Sequence, residues 1–361
     1  PILLAALGWL NRRLGRVPDH RFAADEAPSV TILVPMHNEQ SAVAAKLENT
    51  LALEYPGKLE IVVVSDGSTD ATAEIVRTFG GDPRLDFVEL PERKGKANAL
   101  NVGLEHAGGE IVVFSDASIM LQKDAVWSLV QRFADAEIGC VSGEDRIRDG
   151  GGEGLYGRYE LYLRRRESAI GSIVGASGSF YAQRKHLTRP FRDGSAPDFL
   201  SVLNTVEQGA RAVSEPLAVG YMTAVASSSD EFQRKVRTLV RGMTALFAKR
   251  NLLNPLKYPI FSFFLFSHKL MRWWVPFLLL GALVSSALML AQALYALLFL
   301  LQLLFYAGAA LSHFGAGPFA QTLPGKIAMY FSLVNLAVLV AWGRYLRGVR
   351  QEIWTPSKRT L

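Results

Sequence analysis

Cysteine is almost absent: Cys140 is the only one in 361 residues. That excludes an intramolecular disulfide, and a thiol in an apolar run before Val141 reads as a small buried core residue. Such usage fits a reducing, cytoplasmic setting. Charge is the second absence, since residues 274–325 contain no Asp, Glu, Lys or Arg. A helical span takes about 20 residues, so this gap holds two, with a tight turn near Gln292. A third candidate runs from Ile327 to Gly343, between Lys326 and Arg344. None has the polar stripe of a water-soluble bundle helix, and all read as membrane-inserted. Glycine motifs for phosphate are missing too. No G-x-G-x-x-G follows the first apparent strand and no G-x-x-x-x-G-K-[ST] occurs, which disfavours a dinucleotide fold and a P-loop ATPase. The glycine-rich Asp149-Gly-Gly-Gly-Glu153 lacks strand and helix context and reads as a flexible loop.

What is present is unevenly spread. Half of the residues are hydrophobic and the formal charge is +6. Basic residues lie beside the apolar spans, which suits an anionic leaflet; no nucleic-acid motif accompanies them, so nucleic acid is not an expected partner. Residues 1–27 open with PILLAALGWL and then Asn11-Arg12-Arg13. They read as the end of an upstream span with a basic cytoplasmic flank, since no small-residue cleavage pattern follows. Residues 28–255 have the composition of a charged globular domain. Residues 256–361 comprise an aromatic interfacial element (Tyr258 to Trp274), about three spans and a basic tail.

Within 28–255, strands alternate with helices. Ser29 to Val34, Leu59 to Ser65, Leu85 to Leu90 and Glu110 to Ser115 read as strands, and the strand cores are continuous apolar runs, the pattern of a parallel sheet covered on both faces. A helix opening at Asn38-Glu39 places Val43, Leu47 and Leu51 on one side. Thr69 is the expected cap of a helix from Ala71 to Phe79, and Lys123 to Phe133 reads as helical. Two of the strands, IVVVSDGSTD (Ile61 to Asp70) and IVVFSDASIM (Ile111 to Met120), end in Ser-Asp. Ligands of open parallel sheets bind at the carboxyl ends of the strands, so Asp66 and Asp116 are candidate ligand-binding residues rather than turn residues alone.

The order of the segments VPMHNE (Val34 to Glu39), VVSDGSTD (Val63 to Asp70), KGKANALN (Lys94 to Asn101), FSDAS (Phe114 to Ser118), GASGSFYA (Gly175 to Ala182), PDF (Pro197 to Phe199) and EFQRKVR (Glu231 to Arg237) resembles the family-two inverting glycosyltransferases. That group includes cellulose, chitin, hyaluronan and poly-N-acetylglucosamine synthases. The resemblance implies an α/β, glycosyltransferase A-type catalytic domain with a mostly parallel sheet, followed by an α-helical transmembrane region. It implies a UDP-sugar donor, a glycan or lipid-linked acceptor and membrane lipids as partners, with Mg²⁺ or Mn²⁺ as cofactor. Carried over position by position, Asp66 faces the uracil and Glu39 lies near the nucleoside. Lys96 neutralises nucleotide charge, and Asp116 serves the ribose and the diphosphate–metal site. Arg234 and Arg237 clamp the diphosphate, and Asp198 is the catalytic base.

These residue types suit the chemistry. Inverting transfer is one in-line displacement, with one base to take the acceptor proton. A nucleoside diphosphate leaving group needs its negative charge stabilised by a cation and guanidinium groups. The sequence departs from the pattern twice. Ser118 replaces the second aspartate of D-x-D, so Asp116 is expected to hold the ion together with the diphosphate. Thr238 follows Arg237 where processive synthases often carry Trp. The Tyr- and Arg-rich stretch from Leu155 to Glu167 reads either as a surface helix or as an interfacial or acceptor-channel helix.

The expected function is transfer of a sugar from a UDP-sugar to a growing glycan, an exported polysaccharide. The setting is the inner membrane, multi-pass, with the catalytic domain cytoplasmic. The alternatives are a polyprenyl-phosphate sugar transferase and a catalytically silent nucleotide-binding membrane protein. Arg344, Arg347, Arg350, Lys358 and Arg359 favour a cytoplasmic tail. That makes either the aromatic segment or one apparent span re-entrant or partly inserted.

Overall fold

The computed structural model describes residues 21–147, 152–222, 228–315 and 318–349. The expected N-terminal segment up to residue 20, Asp149 to Gly151 of the glycine-rich stretch, and the tail residues Arg350, Lys358 and Arg359 lie outside them.

Eight strands form one sheet: β1 (Val30–Met36), β2 (Leu59–Asp66), β3 (Leu85–Leu90), β4 (Ile111–Ser115), β5 (Met120–Leu121), β6 (Ile138–Ile147), β7 (Phe180–Arg184) and β8 (Arg211–Met222). Their order is β3-β2-β1-β4-β7-β6-β8-β5. The four strands from β3 to β4 are parallel, whereas β7 runs antiparallel between β4 and β6. β1, with neighbours on both sides, is buried at every position, as its unbroken apolar run requires.

The connecting helices are α1 (Val43–Leu51), α2 (Thr72–Thr78), α3 (Lys96–His106), α4 (Ala125–Val130), α5 (Gly152–Ile170) and α6 (Pro197–Glu207). They are followed by α7 (Ser228–Ala248), α8 (Pro259–Leu265), α9 (Met271–Leu288), α10 (Ala293–His313) and α11 (Leu323–Leu346). α1 starts later than the sequence pattern suggests, because Asn38 adopts a left-handed φ of 52°. Its side chain is engaged across the loop, where Oδ1 accepts from the Thr69 amide at 2.8 Å. That engagement also removes Thr69 as a cap. Asp70 takes the role, its Oδ1 accepting from the Thr72 amide at 3.0 Å.

Alternate residues of the strands face two cores. One packs Ile32, Val34 and Ile61 against Val43, Leu47 and Leu129. The other packs Leu33, Val62 and Phe114 against Leu100 and Leu203, and continues through Val236, Met243, Phe264 and Trp273 to Ala337 and Ala341. The second core therefore runs without a break from the sheet into the apolar helices. Cys140 lies in it, free and fully buried.

Among the described residues, three helical segments are long and apolar enough to cross a membrane: Pro259–Leu288, Ala293–His313 and Leu323–Leu346. The turn expected near Gln292 separates α9 from α10. The aromatic element is continuous with the first span, joined through a π-turn at Phe266–Leu270. The third span exceeds the charge-free stretch at both ends. Thr322 caps it by accepting from the Gly325 amide at 3.2 Å, and Tyr345 packs on Phe247 of α7. Leu278, Leu294 and Leu304 are 56%, 63% and 58% exposed. A row of such leucines is stable in hydrocarbon and unfavourable in water.

Polar side-chain pairs lace the sheet domain to this region. Glu160 and Glu167 of α5 pair with Arg272 and His268 around the π-turn. α5 is thus neither a purely solvated helix nor a free interfacial one.

Candidate active site

The parallel register brings the ends of β1, β2 and β4 to one edge of the sheet. At the end of β2, Asp66 is 4% exposed. Its two carboxylate oxygens accept from the backbone amides of Lys94 at 2.9 Å and Gly95 at 2.8 Å. Asp66 therefore fixes the turn from which α3 starts with Lys96. Glu39 stands half-buried in the adjacent loop, its amide donating to Thr72 Oγ1 at 2.8 Å.

At the end of β4, the Asp116 amide donates to the Ser179 carbonyl at 3.0 Å, which seats the GASGS loop beside it. Lys96 Nζ lies 2.5 Å from Asp116 Oδ1. Both line a small cleft with Pro35, Gly178, Tyr181 and Asp198. Asp198 follows Pro197 in the first turn of α6. Burial raises its carboxyl above the ordinary range, against the pull of Lys269 and Lys96. Three residues named from sequence, Lys96, Asp116 and Asp198, thus meet in one cleft.

Arg234 and Arg237 occupy successive turns of α7, outside the residues that line this cleft. Burial and the neighbouring Arg234 lower the Arg237 guanidinium. One turn further, Arg241 feels both Arg237 and Asp198. α7 therefore carries a line of positive charge, and Arg241 is close enough to Asp198 to feel its carboxylate.

Among the described residues, no group of three or more His, Cys, Asp or Glu could hold a metal ion. The site offers Asp116 and the half-buried Ser118 hydroxyl. Such a donor set fits a divalent cation shared with phosphate oxygens better than one held by protein alone.

Sequence reading missed Lys46. This side chain is fully buried and reaches from α1 to the loop after β4, donating to Ser115 Oγ at 2.7 Å and the Ile119 carbonyl at 2.8 Å. It ties down both ends of the turn that carries Asp116. Burial lowers its ammonium to about 7, against the opposing pull of Asp116. The folded value lies below the unfolded 10.5. Its stabilising contribution is thus complete above 10.5 and is lost as pH falls towards 7. The stability of the unaltered protein relative to Lys46→Met is expected to rise over that window, by up to about 1.4 kcal/mol per pH unit. Thermal melting in detergent at several pH values checks this; a difference that does not change with pH would contradict it.

Comparison with known proteins places this geometry. Residues 31–194 match the family described as Glycosyl transferase family 2. These residues form a family-2 glycosyltransferase domain. Over 237 residues the chain is 29% identical to the poly-beta-1,6-N-acetyl-D-glucosamine synthase of Staphylococcus aureus, covering 62% of this chain and 56% of that one. Over 184 residues it is 33% identical to the synthase of the same name from Staphylococcus epidermidis, covering 48% of this chain and 43% of that one. The chain spans about half the length of these curated relatives.

Among solved structures, a mannosyltransferase from Pyrobaculum calidifontis, in complex with GDP-Man and Mn²⁺, superposes with a TM-score of 0.72 at 28% identity. That match covers 95% of this chain and 94% of the mannosyltransferase, so it extends through the apolar helices as well as the sheet domain.

Proposed function

We propose that this protein is a membrane-bound inverting glycosyltransferase that moves a sugar from a nucleoside diphosphate sugar to an acceptor at the membrane surface. The observation that carries the reading is one cleft holding Lys96, Asp116 and Asp198 at the carboxyl edge of a family-2 domain. The core of that domain is continuous with two of the three apolar segments, Pro259–Leu288 and Leu323–Leu346.

Asp116 and the donor diphosphate would together hold Mg²⁺ or Mn²⁺, which supplies charge stabilisation for the leaving group. Lys96 exchanges its contact with Asp116 for the phosphate oxygens. Asp198, ionised, takes the proton of the acceptor hydroxyl as that oxygen attacks the anomeric carbon. Arg237 and Arg241 add positive charge on the membrane side of the site. Asp66 and Glu39 bound the nucleoside pocket, Asp66 chiefly by holding the Lys94–Gly95 turn. The catalytic domain faces the cytoplasm, and the membrane is the inner membrane.

The donor is a UDP-sugar and the acceptor a growing glycan, supported by the likeness to two poly-beta-1,6-N-acetyl-D-glucosamine synthases. A second reading is transfer from a GDP-sugar, with a polyprenyl phosphate as acceptor. Its donor is favoured by the near full-length likeness to a mannosyltransferase bound to GDP-Man.

The test is nucleoside diphosphate release by protein in lipid vesicles. The donors are UDP-glucose, UDP-N-acetylglucosamine, UDP-glucuronate, UDP-galactose and GDP-mannose, each with Mg²⁺ or Mn²⁺. Release from one UDP-sugar with a polymeric product supports the first reading, and release from GDP-mannose with a lipid-soluble product supports the second. Nucleotide binding without release from any donor, even with membrane extract added, would refute both.

A further inference from the structure

β6 brings a third carboxyl to the carboxyl edge of the sheet, one that the proposed reaction leaves unused. Asp145 stands near the end of that strand, and its Oδ1 accepts from Ser177 Oγ at 2.5 Å. Ser177 Oγ in turn accepts from the amides of Ser179 at 3.1 Å and Phe180 at 2.9 Å. The Ser179 carbonyl accepts from the Asp116 amide. Asp145 and Asp116 are therefore locked to opposite sides of one loop.

The register gives their separation. Ser115 pairs with Phe180, and Ser142 pairs with Tyr181, so Asp116, directly after β4, and Asp145, on β6, have β7 between them. Two strand spacings are roughly 10 Å, about the room a pyranose and its hydroxyls need. The loop residue between them is Gly178, which lines the cleft and is exposed. A Cβ built on Gly178 would meet nothing within 4 Å. The space above it is open: Asp116 and Asp198 line the cleft with Gly178, and the half-buried Asp145 stands just beyond those lining residues on β6. Arg164 backs the far side, fixed to Ser142 Oγ at 3.1 Å and the Gly143 carbonyl at 3.4 Å. Burial, with Asp116 and Asp198 adding to it, raises the Asp145 carboxyl to about 6, against the hydrogen bond from Ser177 and the charge of Arg164.

In a direct displacement the transferred sugar lies between its own diphosphate and the attacking hydroxyl. Here that means between Asp116 and Asp198, over Gly178. We infer that Asp145 is the specificity-determining residue for the transferred sugar, its carboxyl accepting hydrogen bonds from ring hydroxyls of the donor. This rests on the glycosyltransferase reading above. A half-buried acceptor held for one hydroxyl arrangement is left unpaired by the epimer, and such sites discriminate more strongly than apolar pockets do.

The test measures kcat/KM for two epimeric donor pairs, together with the Kd of UDP and of GDP alone. The pairs are UDP-N-acetylglucosamine with UDP-N-acetylgalactosamine, and GDP-mannose with GDP-glucose. In Asp145→Asn the epimer ratio is expected to fall by about tenfold or more, while the Kd of the free nucleoside diphosphate stays within about twofold. Gly178→Leu, placed in open space, is expected to fold, to keep nucleotide affinity and to lose sugar transfer. Unchanged epimer selectivity in Asp145→Asn, or undiminished transfer in Gly178→Leu, overturns the inference while leaving the enzyme reading intact. Failure of the unaltered protein to turn over any donor overturns the enzyme reading and this inference with it.

Discussion

Asp198→Asn is expected to lower kcat by about 10²–10⁴-fold with little change in nucleoside diphosphate affinity. The amide keeps the shape of the carboxyl, and the first turn of α6 stays closed by Pro197. What is lost is the one group in the cleft placed to accept the acceptor proton. Asp116, the other carboxylate there, is engaged by Lys96 before the donor binds and would be engaged by the cation held with the diphosphate once it does.

The pH dependence has a definite sign. Burial raises the Asp198 carboxyl, and the base works only when ionised, so the rate falls as pH drops through that raised value. Lys269, which lies 5.2 Å over the Phe199 ring, is the strongest cation opposing the rise. Lys269→Met should therefore move the acidic limb of the rate profile to higher pH. Steady-state kinetics across pH read both effects. Near-normal kcat in Asp198→Asn would remove Asp198 as the base. An acidic limb unmoved in Lys269→Met would remove the lysine as its counter-charge.

Gly67→Ala should abolish most nucleotide binding. Gly67 holds a φ of +56°, and a Cβ there would lie 2.4 Å from the Arg93 amide nitrogen and 2.5 Å from the Glu92 carbonyl carbon. Both obstacles are backbone, so no side chain can swing aside. The left-handed conformation alone costs an alanine about 1–2 kcal/mol, and the clash adds to it. Relief requires the Glu92–Gly95 turn to move. That movement breaks the two hydrogen bonds that the Lys94 and Gly95 amides donate to Asp66 and displaces Lys96 from Asp116. Calorimetry with UDP or GDP should show at least about tenfold weaker binding, with a lower melting temperature. Unchanged affinity would mean that this turn does not form the nucleotide pocket.

The central strands were legible because a parallel sheet covered on both faces writes itself as unbroken apolar runs. The spans were legible because 52 consecutive positions, residues 274–325, carry no Asp, Glu, Lys or Arg. Asp66 and Asp116 stood out because a polar pair follows directly on an apolar strand, whereas Asp198 was legible only through the resemblance of its PDF segment to the family.

The remaining features depend on partners distant in sequence. Nothing local marks Lys46 as a buried clamp, since its acceptors lie 69 and 73 residues away. Asp145 meets Ser177 across 32 residues, and only the antiparallel insertion of β7 brings them together. Lys269 sits in a segment whose aromatic residues read as a headgroup belt, and only the π-turn shows it directed at α6. Thr69 was a reasonable cap by residue type, but Asn38 competes for it from 31 residues away.

The most direct test of the account is the anomeric configuration of the newly formed glycosidic bond. It is read by NMR on product made from the accepted donor and compared with the configuration in the donor. A single displacement driven by one base predicts inversion. Retention would require a second, nucleophilic step, and it would contradict the assignment of Asp198 and of the cleft built around it.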